Sequence, residues 1–324
     1  MRMSKENGAV QRPADLAIVI VSTNEAHWLQ ACLTSVYAHA GDVKLDVIVV
    51  DNESTDGTRA FVEANFPAAR VVDSVNRGFP HANNRALETV SARYALLLNP
   101  DTEVLDGTFA DLVAEMDRRP DVGVLGVRQL KSDGTLFETI RRFPNAGRAI
   151  GDALGLERWR GRPSWLGERE LDLARYETEQ ECDWTVGAFL FMRRDALLSA
   201  GLMDERFFLF SDEPDQCLRI KRAGYRVVHM PLMTIVHHVG KAGIKPRLVA
   251  QDALTRRIYA DKHFAFPHRE LYLSAVVARH AIRTIVPGEQ RADRRAASRA
   301  AIATLVGRRT PPYGAPPKTA IKAR

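Results

Sequence analysis

Five short apolar-rich runs, separated by helix-length segments, decide what this chain can fold into. They are LAIVIV (16–21), KLDVIVVD (44–51), ARVVDS (69–74), YALLLNPD (94–101) and VGVLGV (122–127). Each has strand length, and the apolar stretches are continuous, as in strands covered on both faces. The segments between them carry helix punctuation. Asn24 can cap a helix from about Glu25 to Ala38, and Ser54, Thr55 and Asp56 offer caps for a helix ending at Asn65. The turn NRGF leads to a helix over 80–91, and another runs from Asp106 to Arg118. Strand and helix alternating at this spacing predict βαβ units: an α/β fold with a mainly parallel central sheet flanked by helices.

The pattern blurs between Arg128 and Cys182, apart from a hairpin around Asp133-Gly134. Strand character returns in WTVGAFLFMRR (184–194), followed by a short helix in RDALLSAGLM. SDEPDQCLRIKRAG (211–224) reads as a helix with acids in its first turn, bases in its last and Gly224 beyond its end. YRVVHMP (225–231) and LMTIVHHV (232–239) are the last expected strands, and Leu271–Val286 an apolar helix. The division expected is a flexible leader over 1–14, a catalytic domain over 15–267, and a basic C-terminal helix and tail over 268–324, disordered beyond that helix.

Charge separates the body from the tail. The net charge is +6, yet residues 268–324 hold twelve Lys and Arg against three Asp and Glu, which leaves the body slightly acidic. A basic tail attracts phosphates, so peripheral contact with the inner face of the cell membrane is expected. The 271–286 helix is too short and, with Arg279 and Arg283, too charged to span a bilayer. It either lies in the interfacial plane or packs on the body. No groove-reading motif accompanies the basic residues, so nucleic acid is not an expected partner. Three widely spaced cysteines form no disulfide or zinc pattern, and the N-terminus lacks signal-peptide character. A cytoplasmic setting follows as the expectation.

In open α/β sheets, ligands sit beyond the carboxyl ends of the strands. Here those ends carry Thr23, Asn24 and Glu25, then Asp51, Asn52 and Ser54, then Asn99 and Asp101. The dinucleotide fingerprint GxGxxG is missing after the first strand, where the chain reads VSTNEAHWL, and Gly240-Lys241-Ala242 does not match a Walker loop. Phosphate charge must then be neutralised otherwise. Carboxylates at strand ends suggest a divalent ion, Mg or Mn, which joins one or two carboxylates to substrate phosphates.

The segments VIVSTNEAHWLQACLTSV, VVDNESTDGT, NRGFPHANNRAL, LLLNPDTEV, WTVGAFLFMRR, DERFFLFSDEPDQCLRIKRAGYRVVHMP and VHH occur in the order seen in glycosyltransferase family 2. The chain resembles the rhamnosyltransferase-like enzymes of cell-envelope polysaccharide synthesis, over about Leu16 to Gly240. The resemblance implies a GT-A fold and an inverting enzyme. Its donor would be a nucleotide-diphospho-sugar, dTDP-L-rhamnose ahead of UDP- or GDP-sugars. Its acceptor would be a saccharide or a lipid-linked saccharide. By the same resemblance Thr23, Glu25, Asp51, Asn76, Arg77, Gly78, Asn83 and Asn99 lie at the donor nucleotide. Asp101 and one of the adjacent His237 and His238, His237 by its position in the pattern, hold the metal, with Asn99 standing where the family's DxD motif has its first acid. Neighbouring strand residues point to opposite faces, so one of the two histidines faces the site. Glu213 matches the general base, with Asp212 as the fallback, and Trp184, Gly187 and Ala188 match the acceptor side. The alternative is a nucleotide-sugar-binding protein that has lost catalysis. Asp215 and Arg219, four apart on one helix, pair as structural support.

Overall fold

A computed structural model describes residues 14–159, 161–238, 245–286, 290–309 and 311–314. The leader lies outside them except for Ala14, as do 239–244 and the end of the tail. The first part of the chain runs β1 (Leu16–Ser22), α1 (Ala26–Ala38), β2 (Leu45–Asn52), α2 (Thr58–Asn65), β3 (Arg70–Ser74), α3 (Phe79–Leu87), β4 (Tyr94–Leu98), β5 (Thr102–Asp106), α4 (Phe109–Arg118) and β6 (Val122–Lys131). There follow β7 (Ile140–Arg141), α5 (Ala146–Ala153), β8 (Gln180–Glu181), β9 (Trp184–Thr185), β10 (Phe189–Arg193), α6 (Arg194–Ala200), α7 (Asp212–Arg222) and β11 (Arg226–His237). Three helices close the described chain: α8 (Pro246–His263), α9 (His268–Ile285) and α10 (Arg291–Leu305).

The large sheet has the order β3-β2-β1-β4-β10-β6-β11-β5, with β8 beside β11. Its first four strands are parallel. The second half is mixed, which corrects the mainly parallel expectation. β10 is antiparallel to both β4 and β6, and β11 is parallel to β6 but antiparallel to β5. The two-residue β7 and β9 pair separately. β1 shows why its run is apolar throughout. Leu16, Ile18 and Ile20 pack with α1 and α4 on one face, while Ala17, Val19 and Val21 pack with α3, α6 and α7 on the other. Alternate residues point to opposite faces, so a strand covered on both sides has no polar position to give.

Several local expectations change. TEVLD (102–106) is an edge strand, and α4 starts only after Gly107, with Thr108 accepting from Asp111 N as its cap. Gly107 has φ +77°, and a side chain there would collide with the Leu232 carbonyl. Residues 226–237 form one strand instead of two, its register shifting between His229 and Thr234 around Pro231. Residues 291–305, expected as disordered tail, form α10, which buries Ala297, Ala300, Ala301, Thr304 and Leu305 at helical spacing. α9 packs on the body through Tyr272, Ala275, Val276 and His280. With α5, α8 and α10 it forms a separate small apolar cluster. No helix among the described residues is long and apolar enough to cross a membrane.

Buried charge joins this helical cluster to the sheet domain. Asp215 of α7 is fully buried and pairs with Arg219 Nε at 2.9 Å, as its spacing predicted. Its other oxygen meets Lys262 Nζ and His263 Nε2, both at 2.7 Å. Lys262 also lies 2.6 Å from Asp204. Burial raises both carboxyl pKa values, but hydrogen bonds from Arg206 and Lys262 hold Asp204 well below the usual carboxylate range. His263, Arg219 and Lys262 likewise hold Asp215 below it. Folded values below unfolded ones give stability that is complete above about pH 4 and is lost as the pH falls toward the folded values. Lys262→Met should therefore cost about 3 kcal/mol in urea unfolding at pH 7, because it strips a cation from two buried carboxylates. The difference from the parent should shrink at pH 3, where the parent has lost part of the same contribution.

Candidate active site

The loops after β1 and β2 are laced together before they present anything to a ligand. Asn24 adopts φ +58° and does not cap α1; Glu25 occupies the cap position. Asn24 Oδ1 instead accepts from Thr55 N at 2.7 Å, and Asn24 N donates to Ser54 Oγ at 3.1 Å. Ala26 N donates to Asp56 at 2.9 Å, and Asn52 Nδ2 donates to Thr23 Oγ1 at 3.1 Å. These side chains fix the loops, which leaves Thr23, Glu25 and Asn52 on the inner rim.

After β4, Asn99 N donates to Ala188 O and Asp101 O accepts from His238 N. The ends of β4, β10 and β11 are thereby held together. Asp101 Oδ1 lies 3.3 Å from His237 Nε2, and Asn99 Nδ2 lies 3.4 Å from the same nitrogen. His238 points away, stacks on Trp28 and contacts Glu103 at 2.8 Å. The alternation of a strand makes this choice between the two histidines. Glu25 sits close enough to feel Asp101: burial, followed by that negative charge, pushes its carboxyl up to about 7.

The opposite wall is the N-terminus of α7. Phe210 and Ser211 both have positive φ, a costly conformation for residues with side chains. They turn the chain so that Asp212 and Glu213 open the helix facing the strand ends. Gly187 N donates to Glu213 Oε1 at 3.2 Å. Asp212 is buried and its Oδ2 has no hydrogen-bond partner among the described residues. Burial raises both carboxyls, and the charge of Glu213 raises Asp212 further, whereas the Gly187 amide favours ionised Glu213. The pair shares a proton more readily than an exposed pair would, and Glu213 is its better-supported anion.

These groups line one cavity of about 610 Å³. Of the residues singled out in the sequence, Thr23, Glu25, Asn76, Gly78, Asn99 and Asp101 lie on its strand side. Gly187, Ala188, Asp212, Glu213 and His237 complete it. Four others stand outside the lining. Asp51 accepts from Ser54 N at 2.9 Å beside the rim, and Arg77 is exposed. Asn83 is fully buried and donates to Phe79 O within α3. Trp184 donates to Arg142 O at 3.0 Å and carries the Arg141 guanidinium over its ring, outside the cavity lining. Phe208, Phe210 and Tyr313 also line the cavity, and Tyr313 stacks on Phe208 with centroids 4.3 Å apart. Tyr313 comes from the far end of the chain, where no pattern in the sequence marked it.

A single mixed α/β sheet with an acid and a histidine at the strand ends, facing a carboxylate at a helix N-terminus, is the arrangement of a GT-A nucleotide-sugar transferase. The profile of glycosyl transferase family 2 matches residues 17–197, and the chain belongs to that family and is a glycosyltransferase. It is 27% identical over 263 residues to an N-acetylglucosaminyl-diphospho-decaprenol L-rhamnosyltransferase of Mycobacterium tuberculosis, over 76% of this chain and 85% of that one. It is 21% identical to the rhamnosyltransferase WbbL of Escherichia coli, over 68% and 82% of the two chains. Among solved structures, a mannosyltransferase from Pyrobaculum calidifontis with GDP-Man and Mn2+ shares the fold at a TM-score of 0.54 and 18% identity. That likeness covers 92% of this chain and 88% of the other.

The close approach at Gly187 is directly testable. A Cβ there would lie 2.7 Å from both Cγ and Oε1 of Glu213, so the carboxylate would have to move. Gly187→Ala should lower kcat by about 100-fold, the order of loss for a misplaced catalytic group, and shift the melting temperature little. Nucleoside diphosphate release together with calorimetry would check both halves.

Proposed function

We propose that this chain is an inverting transferase that moves L-rhamnose from dTDP-rhamnose to a hydroxyl of a polyprenyl-diphosphate-linked saccharide of the cell envelope. The observation that carries the reading is the placement of Glu213 across one cavity from the Asp101–His237 pair. An acceptor hydroxyl is a weak nucleophile and must lose its proton as it attacks the anomeric carbon. Glu213 takes that proton, steadied as an anion by the Gly187 amide and by the N-terminus of α7. Burial and the charge of Glu213 push the Asp212 carboxyl up further, so it gives up its proton less readily than Glu213. The choice of donor and acceptor leans on the mycobacterial relative.

The residues across the cavity fit a divalent ion. Asp101 and His237 bring an oxygen and a nitrogen to one point, and Mg or Mn needs few protein ligands when substrate phosphates and water supply the rest. Such an ion would offset the negative charge that develops on the departing nucleoside diphosphate. Thr23, Glu25, Asn76 and Gly78 form the donor side of the cavity, with Asp51 and Arg77 near its rim. The basic tail draws the chain toward anionic lipid, where such an acceptor resides.

Glu213→Gln should lower kcat by at least about 100-fold with the donor KM little changed. Turnover equal to the parent would remove the base assignment, and a parent that binds the donor without releasing nucleoside diphosphate would favour a binding protein. In the parent, kcat/KM should fall on the acid side at a pH above about 4.3, the ordinary glutamate value, because the base must be ionised and its pKa is raised.

Asp101→Asn should weaken the metal requirement curve. EDTA should stop nucleoside diphosphate release by the parent, added Mn2+ should restore it, and the variant should need about tenfold more Mn2+ for half-maximal rate. Full activity in EDTA would exclude the ion.

A further inference from the structure

A second cavity lies behind Phe210, whose side chain lines both it and the catalytic cavity. It measures about 250 Å³ and is walled by Leu248, Val249 and Asp252 of α8 and by Arg279, His280 and Arg283 of α9. His280 is 1% exposed, and neither ring nitrogen has a hydrogen-bond partner among the described residues. A buried imidazole without partners is costly unless a ligand or water completes it. The carboxylates facing this region are already engaged. Asp152 pairs with Arg279, Asp252 with Arg256 and Glu157 with Arg169. Arg283 forms no ion pair among the described residues, feeling Asp152 and Glu157 only at longer range.

Arg279, Arg283 and Val249 also line a neighbouring cavity of about 760 Å³ between α5, α9 and α10. Asp152, Glu157, Arg169 and Arg294 line it, and so do Leu154, Ile282 and Val286, which are 63%, 36% and 41% exposed. A cationic, hydrogen-bond-donating pocket beside the catalytic cavity thus adjoins a larger trough of mixed lining with three exposed apolar side chains.

We propose that this pocket and trough are the acceptor's lipid site, the diphosphate held by His280, Arg279 and Arg283 and the hydrocarbon chain laid along Leu154, Ile282 and Val286. The assignment rests on the acceptor class proposed above. It places the diphosphate one side chain, Phe210, from the chamber in which Glu213 meets the saccharide. Arg supplies the forked donors that phosphate oxygens accept, and a neutral imidazole adds one more.

The test is calorimetric binding of farnesyl diphosphate to the full chain, with the donor site saturated by nucleoside diphosphate. The parent should bind it. Arg283→Gln, which breaks no ion pair among the described residues, should bind at least about tenfold more weakly, the loss of one charge-assisted contact. Ile282→Asp should weaken farnesyl diphosphate but not inorganic pyrophosphate. No binding by the parent, or equal binding by parent and Arg283→Gln, overturns the site. Pyrophosphate binding as tightly as farnesyl diphosphate overturns the lipid trough and assigns the pocket to free phosphate. The readout needs no turnover, so its failure is separate from failure of sugar transfer. A chain that binds the probe but moves no sugar would sink the proposed function and spare the pocket.

Discussion

Everything at the reaction chamber depends on the buried carboxylate of Asp215. It sits one turn from the mouth of α7 and is held by Arg219 within the helix and by Lys262 and His263 from α8. Removing an ion from water costs several kcal/mol, and only close, multiple partners offset it. The network therefore tolerates little drift of α7. Because Asp212 and Glu213 are in the first turn of the same helix, their position is inherited from Asp215 and from the helices beyond the sheet. The C-terminal helices thus act on the chamber from behind, as its brace.

The facing wall obeys a different constraint. β1, β2, β4 and β11 end at one edge where antiparallel β10 begins, and they are tied to one another there: Asn52 to Thr23 by side chains, Asn99 to Ala188 and Asp101 to His238 by the backbone. Asn24 and Ser54 are polar and strand-adjacent because they build the loops, which leaves fewer groups free to meet substrate.

One wall of the chamber is aromatic and comes from distant segments. Phe208 and Phe210 precede α7, while Tyr313 arrives from the end of the described chain, stacked on Phe208 and covered by the Arg247 guanidinium at 3.9 Å. An aromatic and partly apolar wall suits apolar ligand surface better than it suits charge.

The sequence by itself determined the parallel half of the sheet. A strand covered on both faces must be apolar at every covered position, and β1, β4 and the Val47–Val50 centre of β2 show that pattern without help from the rest of the chain. The same logic marked the polar strand ends, so Thr23, Glu25, Asn99 and Asp101 were legible as one rim, whereas Glu213, at a helix N-terminus, was legible only through the family resemblance. Tertiary structure alone decided which polar residue faces the cavity and which ties a loop, because that turns on partners dozens of residues away. It decided the antiparallel course of β10, the edge strand β5 and the packing of α10, where short or mixed patterns fit more than one element. The orphaned His280 and the arrival of Tyr313 likewise follow from long-range packing, which no local spacing encodes.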